Sequence, residues 1–64
     1  MSSEKTTQNE TLIDVRETAR LLSVRPAKVY EMTREGTGPP HIRIGSLIKF
    51  RRQSVEAWLE EQEQ

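Results

Sequence analysis

The run Gly36-Thr37-Gly38-Pro39-Pro40 constrains this chain more than any other segment. Both prolines lack an amide donor and bias their predecessors to extended geometry, so no helix passes through it. Helical pattern is confined to its two sides, and an extended segment must follow. In a chain of 64 residues without cysteine, this leaves one small domain whose helices and hairpin hold together without disulfides or thiolate metal ligands. That size rules out most enzymes. The lack of cysteine fits a reducing cytoplasm. No apolar run reaches signal-peptide or membrane-span length, so a soluble cytoplasmic protein without a membrane partner is expected.

Charge is segregated although lysine and arginine balance aspartate and glutamate at ten each. Met1 to Val15 sets Lys5 against Glu4, Glu10 and Asp14, a net of −2. Arg16 to Arg52 holds nine cations against Glu17, Glu31 and Glu35, a net of +6, and Gln53 to Gln64 carries four glutamates, a net of −4. A basic stretch of this density between acidic ends points to a polyanion, most often nucleic acid. The alternative is a solvated charged surface.

Residues 1–11 have no apolar periodicity and read as a disordered N-terminal arm, with the domain expected over 12–62. Asp14 and Glu17 have the spacing of a capping box, in which Asp14 accepts from first-turn amides and Glu17 reaches back; capping explains this carboxylate pair better than acid-base chemistry does. Val15, Ala19 and Leu22 then form one helical stripe, with Arg16, Glu17 and Arg20 turned outward. Pro26 suits a first helical position and Gly36 the residue past a helix end, so a second helix runs between them with Val29, Met32 and Thr33 on one face. Two short helices joined by a tight turn around a buried Val24 make a helix-turn-helix.

His41 to Phe50 reads as a hairpin. Directly opposed residues share a sheet face. If Ile42 and Ile44 on one strand are to meet the same core as Ile48 and Phe50 on the other, the loop must have an odd number of residues, Gly45-Ser46-Leu47. That register sets Arg43 opposite Lys49 on the outer face, where two cations either hold a phosphate between them or splay into water. The final helix carries Val55, Trp58 and Leu59 at i, i+3 and i+4, a stripe that closes the core. Trp58 on that stripe is a core anchor rather than a platform for stacking a base.

The expected fold is mainly α with a small β-hairpin, three helices and a two-stranded wing. The order helix, turn, helix, Pro-rich loop, wing, helix resembles the small winged helix-turn-helix proteins of the excisionase and AlpA-like group, distant relatives of the MerR-type DNA-binding domain. The resemblance covers about Leu12 to Glu60. It rests on Val15-Arg16-Glu17-Thr18-Ala19-Arg20-Leu21-Leu22, Lys28-Val29-Tyr30, Gly36-Thr37-Gly38-Pro39-Pro40, Ile42-Arg43-Ile44-Gly45 and Val55-Glu56-Ala57-Trp58-Leu59. Relatives usually carry glycine in the turn and serine at the cap of the recognition helix, where this chain has Ser23 and Arg25. A left-handed Ser23 costs roughly 1 kcal/mol relative to glycine. Arg25 faces the positive end of a helix dipole, a conflict that bound phosphate would reverse. Ser46-Leu47 stands where many relatives have basic residues at the wing tip.

The resemblance implies that the second helix enters a major groove and the wing lies along the backbone or a minor groove. Arg25 and Lys28 are then base or phosphate contacts, and Glu31 is an acceptor from a cytosine amine. Arg43, Lys49, Arg51 and Arg52 position phosphates. Tyr30 and Arg34 either contact DNA or pack at the helix edge, and Arg16 and Arg20 meet either the flanking strand or water. Leu47 at the tip is a single exposed leucine, a minor-groove contact or a contact to a neighbouring copy. The partners implied are double-stranded DNA and a tyrosine integrase, with a monomer in solution that self-associates cooperatively on DNA. The chain holds no effector domain or long dimerisation helix, and the excisionase role is favoured over a small AlpA-like transcriptional regulator. A protein-interaction module without DNA binding is the alternative of another class. Lone His41 has no partner base, nucleophile or metal ligand close in sequence, so no enzyme, cofactor or metal is expected.

Overall fold

The structure is a computed structural model and describes residues 12–63. The expected arm, residues 1–11, lies outside the described residues. The elements follow in the order β1 (Leu12–Ile13), α1 (Val15–Leu22), α2 (Pro26–Glu35), β2 (Ile42–Ile44), β3 (Leu47–Arg51) and α3 (Arg52–Gln62). The strands form an antiparallel sheet of order β1-β3-β2. The arrangement is that of a winged helix-turn-helix, with one more strand in the sheet than the sequence pattern suggests.

Local chemistry sets the helix limits. Asp14 is extended and its Oδ1 accepts from the Glu17 amide at 2.8 Å, which starts α1. The other half of the expected capping box does not form. The Glu17 carboxylate instead meets Arg20 Nε at 3.3 Å and Arg52 Nη2 at 3.4 Å, joining α1 to the start of α3. Ser23 ends α1 in the left-handed region at φ 60. Its amide donates to the Arg20 carbonyl, and the Val24 amide donates to the Ala19 carbonyl at 3.0 Å, the two bonds of a Schellman motif. This corrects the expectation for Val24, which sits just past the helix end at 36% exposure and is held by its amide rather than by burial. Gly36, at φ 71, terminates α2 in the same left-handed way.

The core is Ile13, Val15, Ala19, Val29, Phe50 and Val55, with Leu22, Met32 and Ile48 packed against it. Fully burying Phe50, Val29 and Val55 contributes roughly 1.5–3 kcal/mol each. Thr18 is also fully buried, and its hydroxyl donates to the Asp14 carbonyl at 2.9 Å, so the burial leaves no polar group unpaired. β1 is short, but its pairing of Ile13 with Phe50 sets one core residue beside another and fixes the start of α1 against the sheet.

The wing has a different register from the one expected. Its pairs are Ile42 with Lys49, Arg43 with Ile48 and Ile44 with Leu47, so the loop is the two residues Gly45-Ser46. Gly45 has φ 61 and Ser46 does not have a positive φ, the pattern of a type II′ turn, whose twist suits a hairpin. Ile42 and Ile44 do not share one core with Ile48 and Phe50, because the core ends at Phe50 and Ile48. Ile42 is only half-buried and Ile44 is 49% exposed, so burial does not govern the register there and turn chemistry does.

Candidate nucleic-acid interface

Val29 points into the core and Met32 and Thr33 flank it half-buried, so the opposite side of α2 is the side free for a partner. At about 100° per residue, Ala27, Glu31 and Arg34 lie along the middle of that side, with Lys28 and Tyr30 at its margins. Ala27, Lys28, Tyr30 and Arg34 are exposed and Glu31 is half-buried. Lys28 Nζ stands 3.8 Å from Glu31 Oε1, an exposed pair worth little in water and free to reopen toward a partner. Ala27 was not anticipated as a site residue. Its small side chain lets a groove floor approach the helix closely, and a methyl at this position suits a thymine methyl. Plotting the helix by angle, rather than searching for charge, would have revealed it.

The N-terminus of α2 is electrostatically open. Arg25 occupies the cap position in extended geometry (φ −80, ψ 152), no side chain caps the helix, and its first turn contains no acid. Arg51 stands in the same relation to α3, again without a side-chain cap or an acid in the first turn. Both arginines are exposed. A cation at the positive end of a helix dipole is unfavourable by a few tenths to about 1 kcal/mol unless an anion lies beside it.

Between α2 and the wing lies a cleft of about 280 Å³ lined by Asp14, Arg16, Tyr30, Ser46, Leu47 and Lys49, among others. It brings together four site residues from three elements: Arg16 from α1, Tyr30 from α2, and Leu47 and Lys49 from β3. Two cations and a phenol at one cleft mouth suit a backbone phosphate passing between helix and wing, against the opposing charge of Asp14, whose Oδ1 is engaged by the Glu17 amide.

The other expected residues fall into different surroundings. Arg43 and Lys49 do not face each other; Arg43 is opposite Ile48 and Lys49 opposite Ile42, on opposite faces of the sheet. Two cations on opposite faces cannot clamp one phosphate, which corrects the shared site expected for them. Arg43 remains exposed, on the face that also carries Ile48 and Phe50. Arg20 and Arg52 both pair with Glu17; the half-buried Arg52 ties α3 to α1, whereas Arg20 is exposed and its pair is as free to reopen as that of Lys28. Arg51 shares the other face of the sheet with Lys49 and Leu47. His41 is exposed, with its ring 6.2 Å from that of Phe50. Among the described residues, no helix is long and apolar enough to cross a membrane.

A search of curated proteins found no match. A comparison with protein-family models matches residues 12–63 to a helix-turn-helix domain. The match runs from β1 through α3, and so takes in the open N-terminus of α2, its free face and the wing beside it. The chain belongs to this helix-turn-helix domain family, a family of small DNA-binding proteins.

Proposed function

We propose that this protein binds duplex DNA sequence-specifically through the free face of α2 and acts as an excisionase, bending DNA beside an attachment site and assisting a tyrosine integrase in excising a mobile element. The observation that carries the DNA-binding part is the cationic, uncapped start of α2 beside a cleft edged by Arg16, Tyr30 and Lys49. In this reading Arg25 and Lys28 meet bases or phosphates, Ala27 and Glu31 read base edges, and Arg16, Arg43, Lys49 and Arg51 hold the backbone. Arg34 reaches the backbone at the far end of α2, roughly 13 Å from Arg25 along the helix axis. The role needs no metal or cofactor, because bond breakage belongs to the integrase, and it is exercised in the cytoplasm on nucleoid DNA. The resemblance to the excisionase and AlpA-like group supports the recombination role, and equally a small AlpA-like transcriptional regulator as the second reading.

Footprinting on DNA flanking the protein's own gene, followed by an excision assay with the integrase encoded nearby, tests both parts. Protection of repeated sites beside an attachment site, with excision dependent on the protein, is the expected result. Protection of a promoter with no effect on excision makes it a transcriptional regulator. Absence of binding to any duplex at low salt removes the DNA reading, since the basic module's cations should give at least non-specific affinity there.

A further inference from the structure

The single tryptophan does not take the place that its spacing suggests. Expected as a core anchor, Trp58 is only half-buried, and the core and the side chains packed against it are complete without it. On α3 it falls instead with Ser54, Ala57 and Glu61, at i, i+3, i+4 and i+7, on a second stripe beside Val55, which holds the helix to the core. These four residues and Pro40 line a shallow groove of about 210 Å³. Pro39 is buried, and two consecutive prolines keep the loop backbone stiff, so the wall that Pro40 forms exists before anything binds. The groove is smaller than the roughly 300–1,000 Å³ of pockets that enclose small ligands. Its size suits a few side chains presented by a larger partner.

Charge selects the partner. Ala57 and Glu61 are exposed, and residues 53–64 hold four glutamates and no lysine or arginine. Glu60 and Glu61 stand in the last turn of α3, which has no basic residue, so they oppose the negative end of the helix dipole. A cation brought to this end relieves that conflict, and a nucleic acid would aggravate it. An indole beside a carboxylate suits a guanidinium in particular, which stacks on an aromatic face and binds a carboxylate bidentately. We propose that this groove docks an arginine-bearing, apolar segment of a protein partner, with the arginine between Trp58 and Glu61 and an apolar neighbour against Ala57 and Pro40. The groove uses none of the DNA-binding residues, so the docking stands independently of the DNA reading.

Trp58, as the only tryptophan, reports on its own groove. Its emission is followed while the full chain, free of DNA, is titrated at physiological salt with a short synthetic helical peptide bearing leucine on one face and arginine on the other. A saturable shift is expected, and none with the same peptide carrying glutamate in place of arginine. Glu61→Lys is expected to weaken binding about tenfold, since it sets a cation against the arginine. Glu56→Lys makes the same change of charge on the far side of α3 and is expected to alter affinity by less than about twofold, because screening confines charge effects to about 8 Å. Ala57→Gln fills the groove without changing charge and is expected to cost about tenfold. All three positions except the half-filled groove floor at Trp58 are left to solvent, and circular dichroism melts check that the fold is kept. The proposal is overturned by the absence of a saturable shift, by equal losses in Glu61→Lys and Glu56→Lys, which would reduce the effect to net charge, or by undiminished binding to Ala57→Gln. Sedimentation velocity of the chain alone tests the other occupant. A monomer is expected, and reversible growth in mass that Ala57→Gln abolishes would give the groove to a second copy and overturn the proposal.

Discussion

The start of α1 and the start of α2 are built on opposite electrostatic plans. α1 has an aspartate at its cap, bonded to the Glu17 amide, an acid in its first turn and Arg20 in its last. Apart from Arg16 in the first turn, the charges there agree with the helix dipole. α2 has Arg25 at its cap and Lys28 in its first turn, with no acid and no side-chain cap. Its helix is instead started by Pro26, which sets the backbone without contributing charge. The two helices are neighbours of similar length in one small domain, so the difference is not one of general composition. α1 closes its N-terminus with its own side chains, and α2 leaves its N-terminus uncapped.

Exchanging the plans gives the largest expected effect. Arg25→Asp supplies a cap to α2 and should raise stability by about 1 kcal/mol, while placing a negative charge against phosphates costs several kcal/mol of binding. Thermal melts and duplex titrations on the same variant check both signs; a variant that gains stability and keeps its affinity breaks the comparison. Asp14→Ala, at the other helix, is expected to lose about 1 kcal/mol of stability and so lower the melting temperature by roughly 4–8 °C. Because Asp14 also lines the cleft beside Arg16 and Lys49, removing its negative charge should not lower the affinity for DNA below the melting range, and a fall would count against a phosphate in that cleft.

Two smaller changes sharpen the contrast. Ser23→Gly relieves the left-handed serine between the helices and should add a few tenths to about 1 kcal/mol, net of the extra freedom of glycine in the unfolded chain. Denaturant melts check this, and binding should be unaltered if Ser23 serves only the turn. Glu17→Gln weakens both of its ion pairs and is expected to cost well under 1 kcal/mol, since the partners are partly exposed. Its useful readout is the salt slope of DNA binding. The slope steepens by up to about one unit per cation released to a phosphate, and stays the same if Arg20 and Arg52 never reach DNA.

The parts of the fold legible in the sequence are those decided within a few residues. Asp14, Pro26 and Gly36 act on the backbone beside them, and all three mark the limits that the spacing of apolar residues suggests. Arg25 is legible for the same reason, as a residue whose charge contradicts its place. The wing register was not legible from facing, because that argument requires a core on which Ile42 and Ile44 can rest, and the core stops short of them. β1 has too few residues for a period and exists only through its pairing with β3. The cleft that unites Arg16, Tyr30 and Lys49 depends on how three elements meet, and no local pattern contains that information.

The two-residue turn at Gly45-Ser46 also limits how such a wing can change by descent. Because side chains alternate along each strand, adding one residue while the two-residue turn is kept would turn β2 over relative to β3, sending Ile42 and Ile44 to the opposite side and bringing Arg43 out in their place. Adding two residues, one to each strand, would leave every existing side chain where it is and carry the tip further out. Insertions that keep this turn therefore sort by parity: even ones lengthen the wing, and odd ones replace its surface unless a bulge absorbs the extra residue.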